Sequence, residues 1–177
     1  FWSPAHNAPY YVGSPSVVTI HDLAYEYFPD LFLKSDLYKL KNWTRTAVKA
    51  AARVIAVSQA TKDDLVKLYG TDPNKITVIH NGYDSDIFNT KTKIKSSHLD
   101  NFNLVPFNYL LFLGTIQPRK NAIKLVQAFR LLKEKGYKGK LVLAGKIGWM
   151  SEESLQVIKN SQDARDIVMT GYVSDET

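Results

Sequence analysis

The chain has 177 residues, 45% hydrophobic and 23% charged, which is ordinary globular composition and long enough to bury a core. It contains no cysteine, which excludes disulfides and thiolate metal sites, and no apolar run nears the roughly 20 residues of a membrane-spanning helix. The net charge of +6 sits in the second half: residues 1–88 carry nine basic and nine acidic side chains, residues 89–177 fourteen and eight. Such an excess fits either an anionic partner or a merely solvated surface.

The first element is "SVVTIHD" (16–22), a continuous β-branched run that reads as a buried strand of a parallel sheet. Residues 36–52 read as a helix, with Leu37, Leu40, Ala47, Val48 and Ala51 on one face and Lys41, Arg45 and Lys49 on another. "RVIAVS" (53–58) is a second strand. The following helix spans 58–70, with Ser58 as N-cap and Gly70 as C-cap. A third strand, "KITVIHNG" (75–82), ends in the turn pair Asn81–Gly82.

From Tyr83 to about Pro106 the periodicity is lost, which predicts a linker or surface loop. The alternation then resumes: strand 109–114, helix about 120–136, strand 140–145, helix 151–160 and strand 166–171. "SEES" opens the fourth helix with Ser151 and two acidic residues that suit the positive end of the helix dipole. Strand–helix alternation of this kind predicts two α/β units with parallel sheets. The expected division is 1–88, a linker at 89–106, and 107–177. The chain begins at Phe1 with no signal-like segment and stops at "GYVSDET", so both ends read as cut and each unit as incomplete.

"GTIQPRKN" (114–121) carries the densest chemistry. Ligands of open α/β sheets bind outside the carboxyl ends of the strands, and Gly114 stands at such an end. A helix N-terminus offers N–H groups and a positive dipole to phosphate. The Arg119 guanidinium can fork onto two phosphate oxygens, and Lys120 adds a point charge. The competing reading of an arbitrary Arg–Lys pair is a polar turn, but its place between strand and helix favours phosphate. The stretch is neither a Walker A loop nor a GxGxxG fingerprint.

His21 also falls at a strand's carboxyl end, where it would either meet a ligand or cap a turn. Gly145 and Lys146 repeat the strand-end pattern, against the plainer reading of a tight turn beside an exposed lysine. The four histidines show no paired metal-ligand spacing, so no metal is expected. Lys41, Arg45 and Lys49, with Trp43 between them, fit either a solvated face or peripheral contact with an anionic membrane. Nucleic acid is not expected, because the basic residues lack aromatic interleaving.

Taken in order, "VVTIHDLAYEYFPD", "RVIAVSQATKDDL", "KITVIHNGYD", "LLFLGTIQPRKN", "LVLAGKIG" and "IVMTGYVSDE" closely resemble the family-four (group 1) glycosyltransferases of GT-B fold, in their mannosyltransferase and polysaccharide-building branch. The resemblance implies two Rossmann-like domains facing across a cleft. Residues 1–88 would be the end of the acceptor domain and 107–177 the start of the nucleotide-sugar donor domain. It implies a retaining transfer of a hexose, such as mannose, from a GDP- or UDP-sugar to a glycan or lipid-linked acceptor, without a cofactor or metal. Arg119 and Lys120 match the pair that holds the donor diphosphate, and Gly114 matches the glycine that lets the backbone approach it. His21 matches the histidine that contacts the donor sugar, while Gly145, Lys146 and Val173 match positions near the nucleoside. The family's E-x7-E element would lie beyond Thr177, so this chain alone is expected to turn over poorly or not at all. The resemblance places the protein in the cytoplasm, with the inner membrane surface as a peripheral site. Two other readings stay open: a non-catalytic module that binds a nucleoside diphosphate, or a nucleotide-sugar epimerase or phosphorylase of similar architecture.

Overall fold

The computed structural model describes residues 1–8, 13–89 and 99–174. The chain forms two compact units, Phe1–Asn89 and Thr90–Thr177. Residues 90–98 of the expected linker (89–106) lie outside the described residues, as do the last residues of "GYVSDET", 175–177.

The first unit has a parallel four-stranded sheet in the order β1-β2-β3-β4. Its elements are β1 (Trp2–Ser3), β2 (Val17–Ile20), α1 (Ala24–Tyr27), α2 (Lys34–Ala50), β3 (Arg53–Ala56), α3 (Gln59–Tyr69) and β4 (Ile76–Val78). Val18, Ile20, Val54 and Ala56, which share one face of the sheet, are wholly buried. Ala47, Val48 and Ala51 of the α2 region and Leu65 of α3 complete the core, with Leu37 and Leu40 half-buried against it. Each fully buried aliphatic side chain contributes about 1.5–3 kcal/mol to holding these layers together.

The strands are shorter than the apolar runs because polar groups take over the backbone at their ends. After β2, the Asp22 carboxylate accepts from Ala24 N–H and starts α1. After β3, Ser58 caps α3 by accepting from Thr61 N–H, and Gly70 closes that helix at φ 63°. The pair Trp2–Ser3, which the sequence reading left unassigned, adds to the edge of β2 in the register Trp2–Val17 and Ser3–Val18.

The second unit has a parallel three-stranded sheet in the order β5-β6-β7. It runs β5 (Tyr109–Leu113), α4 (Ala122–Glu134), β6 (Lys140–Ala144), α5 (Glu152–Asn160) and β7 (Ile167–Gly171). Ile116, Val126, Phe129, Leu141, Leu143, Ile158 and Ile167 pack its core. Ser151 stands at the N-cap of α5 but makes no side-chain cap bond; its hydroxyl donates to the Gly148 carbonyl at 2.9 Å. Part of the stretch read as structureless is folded: Leu104 is buried, and its N–H bonds the Leu99 carbonyl at 3.0 Å.

The basic face of α2 is partly spent inside the molecule. Glu26, with a side chain only 10% exposed, pairs with Lys41 at 3.1 Å and Arg45 at 3.2 Å. The Tyr69 hydroxyl donates to Glu26 at 2.9 Å, and the Arg45 guanidinium lies 4.5 Å from the Tyr69 ring centroid. Lys75 Nζ donates to the Lys49 carbonyl at 3.0 Å, near the negative end of the α2 dipole. Trp43 is two residues from Arg45, about 200° around a helix of 3.6 residues per turn, so it does not share that face. Two of the three basic side chains of this face, Lys41 and Arg45, are thus paired within the unit. No helix among the described residues is long and apolar enough to cross a membrane.

Burial alone would raise the Glu26 pKa, but hydrogen bonds from Lys41, Tyr69 and Arg45 outweigh it and hold the carboxyl below its usual 4.5. A depressed carboxyl pKa stabilises the fold above the unfolded value, and that share is lost as pH falls through the folded value. Glu26→Gln should cost about 1–2 kcal/mol at neutral pH, the low end for charged hydrogen bonds because Lys41 and Arg45 stay partly hydrated. In urea unfolding, the gap between wild type and variant should narrow below pH 4.5. A gap independent of pH would show that the charge of Glu26 contributes nothing.

Candidate functional site

All three strands of the second unit end at a glycine with positive φ: Gly114 at 149°, Gly145 at 145° and Gly171 at 71°. At Gly145 the glycine is forced by close approach, whereas a Cβ on Gly114 would meet nothing nearer than 3.8 Å. A Cβ on Gly145 would lie 2.2 Å from the Gly114 carbonyl oxygen and 2.6 Å from its carbon. Gly114 N–H bonds the Ala144 carbonyl and Gly145 N–H the Gly171 carbonyl, each at 2.8 Å, so the strand ends stay joined beyond the ladder. The loops that follow remain zipped together. Ile116 N–H bonds the Lys146 carbonyl and Gly148 N–H the Ile116 carbonyl, both at 2.9 Å, and Ile116 and Ile147 form a parallel bridge.

On this rigid base Pro118–Lys120 makes a 3₁₀ turn, with Lys120 N–H bonded to the Gln117 carbonyl at 2.9 Å. Asn121 then adopts the left-handed conformation at φ 54°, and α4 begins at Ala122. Arg119 and Lys120 therefore stand in the turn before the helix, where the sequence reading began the helix at about residue 120. Pro118 accounts for the difference, since proline favours the opening of such a tight turn.

Both cations are exposed, and the Lys120 Cε lies 3.8 Å from where a Gly114 Cβ would be. The Lys120 stem thus lies over the bare glycine. The start of α4 has no acidic residue in its first turn and no side-chain cap, so the positive dipole end is not neutralised from within. Chemically, this is a backbone-lined shelf with a guanidinium, an ammonium and an uncapped helix start, suited to a multiply charged phosphate.

The other residues singled out in this unit lie on the same sheet edge. Lys146 is exposed, with Nζ 4.9 Å from the Tyr172 ring centroid, and Val173 is half-buried just past β7. Gln117 escaped the sequence reading. It is only 4% exposed, and its Oε1 has no hydrogen-bond partner among the described residues. A polar residue inside an apolar-to-basic transition was the one signal that could have marked it.

In the first unit His21 stands exposed just past β2. Its Nε2 lies 3.0 Å from the Pro4 carbonyl, and its own carbonyl accepts from Thr61 Oγ1 at 3.0 Å. His6, which sequence reasoning did not select, sits with its ring centroid 5.6 Å from that of His21. Burial lowers the His6 pKa; the nearby Asp22 opposes this and His21 reinforces it, so the neutral ring is favoured. No group of three or more His, Asp or Glu among the described residues is arranged to hold a metal ion.

Residues 1–87 match the family model described as Glycosyltransferase Family 4, and residues 99–177 match Glycosyl transferases group 1. The O-antigen chain mannosyltransferase B of Escherichia coli is 25% identical over 162 residues, 91% of this chain and 42% of the relative. A D-inositol 3-phosphate glycosyltransferase of Kineococcus radiotolerans is 33% identical over 128 residues, 68% of this chain and 29% of the relative. The chain thus spans less than half the length of these relatives. Among solved structures, Anabaena HepE in complex with UDP-glucose superposes with a TM-score of 0.69 at 21% identity, over 91% of this chain and 43% of that one. A glycosyltransferase of Rickettsia africae gives 0.66 at 19% identity, over 93% and 42%. At such identities the likeness shows the fold.

The approach of Gly145 to Gly114 sets a clear expectation. Gly145→Ala must move the backbone, because the added carbon meets a carbonyl rather than a flexible side chain. The cost should be about 1–3 kcal/mol, read as a lower melting temperature of the second unit. Gly136→Ala is the control, since it carries a positive φ of 92° with nothing within 4 Å of the added carbon. Equal losses in the two variants would leave strain at positive φ as the only term and refute the steric contact.

Proposed function

We propose, for a chain that belongs to the group 1 glycosyltransferases of GT-B fold, that its second unit binds the diphosphate of a nucleotide sugar and its first unit receives the acceptor. The observation that carries this reading is the shelf at Gly114–Asn121. There two adjacent cations and an uncapped helix start converge beyond a strand end stripped of side chains.

The donor is a hexose on a nucleoside diphosphate. Mannose is favoured by the O-antigen mannosyltransferases of Escherichia coli and Salmonella typhimurium among the relatives. UDP is favoured as carrier by the HepE structures, which hold UDP and UDP-glucose; GDP stays the alternative that mannose transfer would suggest. The acceptor is a hydroxyl of a glycan or lipid-linked glycan.

In the proposed reaction the bond between the anomeric carbon and the diphosphate oxygen breaks as the acceptor oxygen bonds to the same face of that carbon. The configuration is retained. The acceptor proton passes to a diphosphate oxygen, so no protein base is required. Arg119 and Lys120 meet the charge that grows on the departing diphosphate, an interaction stronger in the transition state than in the bound donor. His21 contacts the sugar being moved, and Gly145, Lys146 and Val173 lie toward the nucleoside.

The first test is a thermal shift of this chain with GDP, UDP and ADP. A nucleotide at 100 times its dissociation constant adds about 2.7 kcal/mol of stability. One nucleotide should raise the melting temperature of the wild type and not that of Arg119→Ala/Lys120→Ala. In the full-length protein the same pair of changes should lower kcat for sugar transfer by about 10²–10³-fold. Equal shifts in wild type and variant would remove the assigned roles. Free epimer or sugar phosphate as product, in place of a glycoside, would remove the transferase reading.

A further inference from the structure

We propose that Pro4 and His6 are positioning residues for His21, and that they present it to its ligand as a hydrogen-bond acceptor from a hydroxyl. The inference rests on the reading of His21 as a ligand-contacting residue and adds to it the direction of the contact.

The argument begins at β1. Ser3 pairs with Val18 at the sheet edge and is 7% exposed, so its hydroxyl must find partners inside the fold. It donates back to the Asn7 carbonyl, with the Ala5 carbonyl also in reach at 3.4 Å. This closes the segment after β1 into a turn. The turn holds the Pro4 carbonyl 3.0 Å from His21 Nε2, beyond the carboxyl end of β2.

A carbonyl oxygen only accepts, so the hydrogen in this bond belongs to His21 Nε2. In the neutral ring the other nitrogen, Nδ1, is then left as a lone pair. A lone pair accepts from a hydroxyl, and it is repelled by a phosphate or carboxylate oxygen, which has no proton to give. Among the chemical classes that reach a strand edge of this kind, the ring is therefore set for a sugar hydroxyl.

His6 completes the arrangement. Its ring is 5.6 Å from that of His21, tilted by 38°, and 6.3 Å from the buried Tyr25 ring. Its Nδ1 is buried without a partner among the described residues. His6 acts as a neutral wall that limits rotation of His21 about its side-chain bonds. The backbone of His21 is held independently by the Thr61 hydroxyl.

Nitrogen-15 NMR of the imidazoles in this chain tests the proposal without any sugar or transfer assay. A failure here is therefore distinguishable from a failure of the transferase reading. The expected result is a His21 signal set with a protonated Nε2, an unprotonated Nδ1 and an Nε2 proton slow enough in exchange to be seen directly. Ser3→Ala should release the Pro4 carbonyl, and the Nε2 proton signal should be lost while the amide signals of β2 stay in place. His6→Ala should broaden the His21 signals, and His6→Phe, which restores a ring of similar size, should sharpen them again.

A wild-type His21 protonated at Nδ1, or one averaging as in an unfolded peptide, would overturn the proposal whatever the variants do. Unchanged His21 signals in His6→Ala would remove His6 from it.

Discussion

The second unit depends on one approach of two backbones. Gly114 and Gly145 end neighbouring parallel strands, and a Cβ on the latter would reach 2.2 Å from the carbonyl of the former. No other residue type accommodates both the distance and the φ of 145°. Because the strand ends stay this close, their N–H groups continue to bond across the sheet edge, and the loops beyond them zip through Ile116 and Gly148. The turn holding Arg119 and Lys120 grows from that zipper. The backbone position of both cations is therefore tied to the contacts of the zipper and of the turn itself.

The same approach explains why the site is rigid without being buried. Arg119 and Lys120 are exposed, and each long side chain alone would lose considerable entropy on meeting a ligand. Their backbone is fixed by Ile116, which is wholly buried, and by Pro118 and Asn121, whose φ values leave little freedom. An anion at this shelf, as proposed, would have chiefly the ends of two side chains left to order.

Much of this could be read from the chain because the controlling features are local. The parallel strands of the second unit appear as apolar runs, and the glycines at 114, 145 and 171 mark where each run stops. Ser58 and Gly70 behave as their positions in the helix pattern suggest, because a cap needs only neighbours within four residues. The features that were not legible are those whose partners are distant or ambiguous. Glu26 looks like any surface carboxylate, and only the fold brings Lys41, Arg45 and Tyr69 to it from two different helices. Ser151 has the right type and place for a cap, yet a stronger partner was available in the Gly148 carbonyl. Trp2–Ser3 is too short to show any period, and its pairing depends wholly on β2 being present.

Within each sheet the carboxyl-terminal edge is shaped by a different route. The second unit removes side chains there, so that main-chain N–H groups and a helix dipole come within reach of a charged ligand. The first unit retains a side chain at the equivalent place and controls it through a carbonyl. Ser3 shapes a turn, and the turn offers the Pro4 oxygen to His21 Nε2, which in our proposal decides the nitrogen that bears the proton. The two solutions suit opposite demands. A diphosphate is an acceptor of several hydrogen bonds and needs donors without steric cover. A hydroxyl is a single small donor and needs one lone pair held at a fixed angle. That a parallel sheet meets both demands follows from its polarity: all strands end on one side, so every loop there is free to vary while the core behind it stays the same.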